Sequence, residues 1–151
     1  MRGRSAFTLV EIMIVVSVIC LVALMGLPSF LRARQRSQNA RFINELRLTT
    51  NAFELYATEH NGYPPDTATG VLPAGMASYF GPTFDFTAPT PIGGNWDWDT
   101  RQFGVVAGVS VMNPDADDTQ MSDIDTAIDD GDLTTGGFRK TGGARYTSIL
   151  E

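Results

Sequence analysis

Residues 7–31 read Phe7-Thr8-Leu9-Val10-Glu11-Ile12-Met13-Ile14-Val15-Val16-Ser17-Val18-Ile19-Cys20-Leu21-Val22-Ala23-Leu24-Met25-Gly26-Leu27-Pro28-Ser29-Phe30-Leu31. Between Ile12 and Leu27 only Ser17, Cys20 and Gly26 are not large or aliphatic. As a helix rising about 1.5 Å per residue, this stretch is about 37 Å long, enough to cross a hydrocarbon core about 30 Å thick. Arg2 and Arg4 precede it; Arg32, Arg34 and Arg36 follow. A cleavable secretory signal would have an apolar core of about 7–15 residues and a small-residue cleavage site. This run is longer and no A-x-A follows it. Glu11 is the anomaly. A carboxylate inside a membrane segment is costly enough to mark function, and a plain anchor has no use for it.

The segment Arg4-Ser5-Ala6-Phe7-Thr8-Leu9-Val10-Glu11-Ile12 resembles the processing site of type IV pilins and type II secretion pseudopilins. The resemblance implies cleavage between Ala6 and Phe7 by a membrane prepilin peptidase, which also methylates the new amine of Phe7. The family usually has Gly before the cut, where this chain has Ala6. Pro28 falls where the family commonly has a helix-kinking proline. The methylated amine stays cationic, so Glu11 is a carboxylate in search of that charge. It can meet the amine one turn away in its own helix, or that of a neighbouring subunit. An unpaired buried charge costs several kcal/mol, which favours the filament register that pairs it.

The resemblance further implies a bacterial inner-membrane protein with a single pass and its head in the periplasm. It also implies assembly with other pilin-like subunits on an inner-membrane platform. The downstream arginines outnumber those of the leader, so the positive-inside rule alone would reverse this topology. The processing motif decides against the charge count.

Beyond Pro28, Phe42/Ile43, Leu46, Thr49/Thr50, Phe53 and Tyr56/Ala57 recur at three- and four-residue steps. Polar residues fill most other positions, which describes an amphipathic helix. Asn61-Gly62 followed by Tyr63-Pro64-Pro65 ends it, with Gly62 expected in the left-handed cap. One helix is therefore expected from Phe7 to about His60, bent or locally unwound near Gly26 and Pro28. The stretch Asn51 to Tyr56, with Asn61-Gly62-Tyr63-Pro64, is also similar to the end of the long helix in pseudopilins.

Residues 63–94 hold six of the eight prolines and read as loop, with a helical turn at Met76–Phe80. Trp96 and Trp98 alternate with Asp97 and Asp99, as a half-buried strand does. Phe103, Val105, Ala107, Val109 and Val111 give a second strand, joined to the first through Asp99-Thr100-Arg101. Helical spacing of Met121, Ile124 and Ile128 predicts a short helix over Asp118–Asp129. Phe138–Lys140 and Arg145–Leu150 make a last hairpin around Thr141-Gly142-Gly143. The expected fold is α+β and pilin-like, a long helix packed on a small antiparallel sheet. Its divisions are a leader (1–6), a transmembrane or filament-core helix (7–31), an amphipathic stem (32–61) and a head (62–151).

The 151 residues have a net charge of −6, but residues 1–47 carry +5 and residues 48–151 carry −11. An acidic head argues against nucleic acid, which needs a basic face. A single cysteine, Cys20, excludes an internal disulfide and a multi-Cys zinc site. It also leans away from the pilins whose C-terminal loop is disulfide-closed, and toward pseudopilins. Cys20 reads as a packing residue, and His60 as a helix-end residue favouring the dipole. Trp96 and Trp98 read as core. No nucleophile–base pair appears, so an enzyme is not expected.

Eight aspartates lie between Asp115 and Asp132 with no basic residue among them. Oxygen clusters of this kind suit Ca²⁺, and the resemblance to major pseudopilins implies a Ca²⁺ site in this part of the head. Asp115, Asp117, Asp129 and Asp130 are the candidate ligands. EF-hand spacing fails, because Thr126 and Ile128 occupy its first two ligand positions. The other reading is a solvated acidic loop whose aspartates cap a helix and form the Asp130-Gly131 turn. No other cofactor is expected. Two functions remain: a structural filament subunit, and a membrane-anchored binding module outside any filament.

Overall fold

The computed structural model describes residues 8–151, with Met25 and Gly26 described by backbone alone. It divides into two compact units, one ending at Ser37 and one running Gln38–Glu151. Helix α1 spans Leu9–His60. It stays helical through Gly26 and Pro28, so the expected unwinding does not occur. Pro28 has no N–H to donate, and the helix nonetheless continues on either side of it. In the N-terminal unit the large apolar side chains from Leu9 to Leu24 and from Leu27 to Leu31 are exposed.

In the second unit α1 ends as the composition demands, with one change of role. Asn61 takes the left-handed conformation (φ 54°), and Gly62 N–H donates to the Ala57 carbonyl at 3.0 Å. That six-residue loop is a Schellman closure with Asn, not Gly, in the left-handed position.

Four strands follow: β1 (Asn95–Thr100), β2 (Ala107–Met112), β3 (Phe138–Gly142) and β4 (Arg145–Ile149). They form one antiparallel sheet in the order β1-β2-β4-β3. A 3₁₀ turn covers Met76–Tyr79, and α2 covers Asp118–Ile128.

The register puts Trp96, Val111 and Tyr146 in one row and Trp98, Val109 and Phe138 in the next. This sheet face receives the α1 residues Phe42, Leu46, Thr49 and Phe53, which recur at helical spacing and are all buried. Trp96 stacks on Phe42 with centroids 5.3 Å apart, and Trp98 on Phe53 at 3.8 Å. Both tryptophans are core residues.

Two strand expectations are corrected. β1 is not half-buried: Asp97 and Asp99 are only 3% and 2% exposed. The second strand starts at Ala107 rather than Phe103, and residues 101–106 form a longer loop in place of a tight hairpin. Arg101 and Phe103 have φ of 57° and 51°, which breaks the alternation and leaves Phe103 half-exposed.

Candidate functional site

The first turn of α1 is built by Thr8 and Glu11. The Glu11 carboxylate accepts from Thr8 N–H at 2.9 Å and from Thr8 Oγ1 at 3.0 Å. Glu11 N–H donates back to Thr8 Oγ1 at 3.2 Å. This is a capping box, in which a T-x-x-E sequence satisfies orphan donors reciprocally. It presents one carboxylate at the head of an apolar helix long enough to cross a membrane. Cys20 is exposed on that helix.

The acidic segment splits by position. Asp117 caps α2 at its N-terminus, accepting from Gln120 N–H at 2.8 Å. Asp129 caps the other end. At a rise of about 1.5 Å per residue the two ends lie about 18 Å apart. Asp115 and Asp117 therefore do not join Asp129 and Asp130.

Asp125 does join them, and carboxylate oxygens of the three lie within 4.8 Å of one another. Asp129 holds the N–H groups of Gly137 and Phe138. Asp130 accepts from Asp132 N–H at 2.9 Å and Thr135 Oγ1 at 2.8 Å, which lowers its pKa. A Cβ at Gly136 would collide with Asp129, so the loop closes over the cluster only with glycine there. Asp125 is fully buried, and neither of its oxygens makes a hydrogen bond of normal geometry. Burial, then the charges of Asp130 and Asp129, push its pKa up. A buried carboxylate in that state needs a proton or a cation. An all-oxygen donor set with one orphaned, buried member fits a hard divalent ion.

The sheet face turned away from α1 carries a second cluster. Arg145 Nη2 meets Asp97 Oδ2 at 2.7 Å, and Nη1 meets Asp99. Ser110 Oγ donates to Asp99 and lies 2.7 Å from Thr147 Oγ1, which lies 2.7 Å from Thr141 Oγ1. Phe103 covers the guanidinium, with the ring centroid 4.0 Å from Cζ. Asp97 Oδ1 is buried without a partner. Burial, then the Asp99 charge, raise the Asp97 pKa against the pull of Arg145.

At the first turn of α2, Lys140 Nζ contacts both oxygens of Asp118 at 2.8 and 2.9 Å, and Tyr146 donates to Asp118. These bonds lower the Asp118 pKa and raise that of Lys140. His60 sits exposed at the end of α1, stacked on Tyr56 at 4.1 Å.

Residues 1–27 match the family model described as the prokaryotic N-terminal methylation motif. The chain carries a prepilin-type N-terminus. It is 31% identical over 68 residues to the type IV wide pilus major component PilA4 of Thermus thermophilus, covering 45% of this chain and 52% of that one. It is 25% identical over 63 residues to the type II secretion system core protein G of Aeromonas hydrophila, covering 42% and 44%. Against the same-named protein of Vibrio cholerae it is 27% identical over 64 residues, covering 42% and 44%. The chain thus spans about half the length of the curated relatives it matches. No solved structure matches it.

Of the residues singled out from the sequence, Ala6 and Phe7 lie outside the described residues, while Glu11 and Pro28 lie on α1. Three contributors escaped the sequence reading. Thr8 shows itself as the first letter of T-x-x-E. Asp125 stands one helical turn before Asp129. Arg145 had no local signal, because its partners lie in β1.

Proposed function

We propose that this chain is a structural subunit of a type IV pilus-like filament or type II secretion pseudopilus. The observation that carries the reading is a prepilin-type methylation motif continuous with a membrane-length apolar helix and followed by a pilin-like α+β head. Prepilin peptidase cuts between Ala6 and Phe7 and methylates Phe7. The subunit then rests in the inner membrane with its head in the periplasm, until the assembly platform adds it to other pilin-like subunits. Its role is structural rather than catalytic.

Glu11 is the register residue. In the isolated chain Thr8 satisfies its carboxylate. In the filament it pairs with the Phe7 amine of a neighbour, and the gain is that of a charged pair in an apolar surrounding. Pro28 lies at the far end of the same apolar segment. In the head, Asp125, Asp129 and Asp130 hold a divalent cation, Ca²⁺ by the hardness of their oxygens. The orphaned Asp125 carboxylate supports that assignment.

Mass analysis of the N-terminal peptide from membrane-extracted protein tests the processing. A chain starting at singly methylated Phe7 is expected. A retained Met1 in a host with an active prepilin peptidase would refute the reading and favour an anchored module.

A further inference from the structure

The described part of the N-terminal unit holds one acid, Glu11, and three bases, Arg32, Arg34 and Arg36. The acid opens α1, and the bases follow Leu31, the last residue of the apolar run. Along a helix rising about 1.5 Å per residue, Glu11 and Arg32 are about 31 Å apart, far beyond pairing distance. All three arginines are exposed. Glu45, the next acid along α1, already meets Arg41 at 3.8 Å. The three guanidinium groups therefore have no counter-charge in their own unit.

Their placement is specific in two directions. At about 100° per residue, Arg36 stands about 40° around the axis from Arg32, and Arg34 about 160° from both. The arginines ring the helix rather than line one face. A neighbouring protein surface would meet one side of such a ring; a fluid that surrounds the helix meets all of it. The second direction is height. The apolar stretch from Leu9 to Leu31 is about 33 Å long, against a hydrocarbon core of about 30 Å. Ser17 does not shift that depth, because its hydroxyl is satisfied within the helix, donating to the Met13 carbonyl at 2.8 Å. Arg32 to Arg36 rises about 6 Å further. The headgroup layer on each side of the core is about 5–8 Å thick, so the whole ring falls inside it.

We propose that Arg32, Arg34 and Arg36 form a binding ring for the phosphate groups of anionic phospholipids, in the leaflet on the head side of the span. A guanidinium presents a planar fork that takes phosphate oxygens in pairs, and it keeps its charge at any physiological pH. Lipid phosphates supply the missing counter-charge on every side of the helix. The ring also accounts for arginines on the side of the span where the positive-inside rule disfavours them: bound to phosphate, they fix the depth of the helix. The inference rests on the reading of residues 9–31 as a membrane span, and not on assembly into a filament.

The full chain, reconstituted into phosphatidylcholine vesicles that contain phosphatidylglycerol, tests the ring. Electron spin resonance with spin-labelled lipids reads which lipid is held at the protein. Each arginine is expected to favour phosphatidylglycerol over phosphatidylcholine by about fivefold. Arg2 and Arg4 precede the span and are common to wild type and variant, so the readout is the difference on replacing Arg32→Gln, Arg34→Gln and Arg36→Gln together. Gln forms helix about as well as Arg, so α1 should persist, and fluorescence of Trp96 and Trp98 checks the head. The variant is expected to resist alkaline carbonate extraction and to lose most of the preference. Equal preference in both proteins overturns the ring. No preference in the wild type, with self-association in pure phosphatidylcholine that the variant lacks, overturns it in favour of an acidic surface on a second copy. Release of the wild-type chain by carbonate refutes the span itself, and the ring with it.

Discussion

Replacing Arg145 by methionine removes the cation and keeps much of the side-chain volume. The guanidinium contacts Asp97 through Nη2 and Asp99 through Nη1, and it stacks under Phe103. All three ionic side chains are nearly inaccessible, at 8%, 4% and 3% exposure, so solvent screens little of the loss. Breaking a buried ion pair by deleting one partner costs about 3–5 kcal/mol, because the remaining charge is stranded. The unit Gln38–Glu151 should have a total stability of about 6–17 kcal/mol at 0.05–0.15 kcal/mol per residue. The variant should therefore fold, but with a large part of its margin gone.

Urea unfolding of the full chain in micelles reads this directly. Trp96 and Trp98 stack on α1 and report its separation from the sheet. With a urea slope of about 2 kcal/mol per molar, the midpoint should drop by about 2 M at pH 7. The deficit should shrink toward pH 4, since two stranded acids can each take a proton. The triple variant Arg145→Met, Asp97→Asn, Asp99→Asn should recover most of the loss, as apolar or neutral replacement of a whole buried network often does. A single variant within about 1 kcal/mol of wild type at pH 7, or one with a pH-independent deficit, would refute the argument.

Phe53→Ala should cost about 3–5 kcal/mol, since Phe53 is fully buried and stacks on Trp98, and a shift in Trp fluorescence should accompany it. A loss under about 1 kcal/mol would mean that α1 does not anchor the sheet through this pair. Adding Ca²⁺ should raise the melting temperature of the wild-type chain and leave Asp125→Asn unmoved. Equal responses in both would remove Asp125 from the site, and no response in either would remove the cation. Glu11→Leu should insert into membranes normally but fail to assemble, seen as membrane-fraction protein without filaments; normal filaments from it would end the pairing role.

Much of the fold was legible because its signals are local. The 3.6-residue recurrence from Phe42 to Tyr56 and the Asn61-Gly62 stop are properties of neighbouring residues. Trp96 and Trp98 announced a core face by alternation. The same alternation misplaced Asp97 and Asp99. A charged residue between apolar ones reads as solvent-facing, and only a partner from another strand reverses that. Arg145 is 46 residues from Asp99, and nothing in either neighbourhood points to the other. The start of β2 was missed for a related reason. Phe103 and Val105 keep the alternating pattern, but left-handed backbone at Arg101 and Phe103 turns the chain out of the sheet. At the acidic segment the composition was readable and the grouping was not. Asp115 and Asp117 are near Asp129 only in sequence terms, and a rigid helix holds them apart.

Thr8 changes what Glu11 can do. If the carboxylate were unpaired in the isolated subunit, its whole burial penalty would drive assembly. The capping box removes part of that penalty in advance, because Thr8 already supplies an N–H and a hydroxyl. On the proposed pairing, only the difference between a neutral cap and a charged neighbour would then favour the filament. Thr8→Val separates the two contributions. It deletes the hydroxyl partner while keeping the backbone N–H and the side-chain shape. The isolated subunit becomes less satisfied, and the paired filament is affected less. Assembly should therefore be at least as efficient in Thr8→Val as in wild type, read as the fraction of chain recovered in filaments. A loss of filaments equal to that of Glu11→Leu would show that the Thr8 contact persists in the assembled state. The cap, rather than a neighbour's amine, would then be what Glu11 is for.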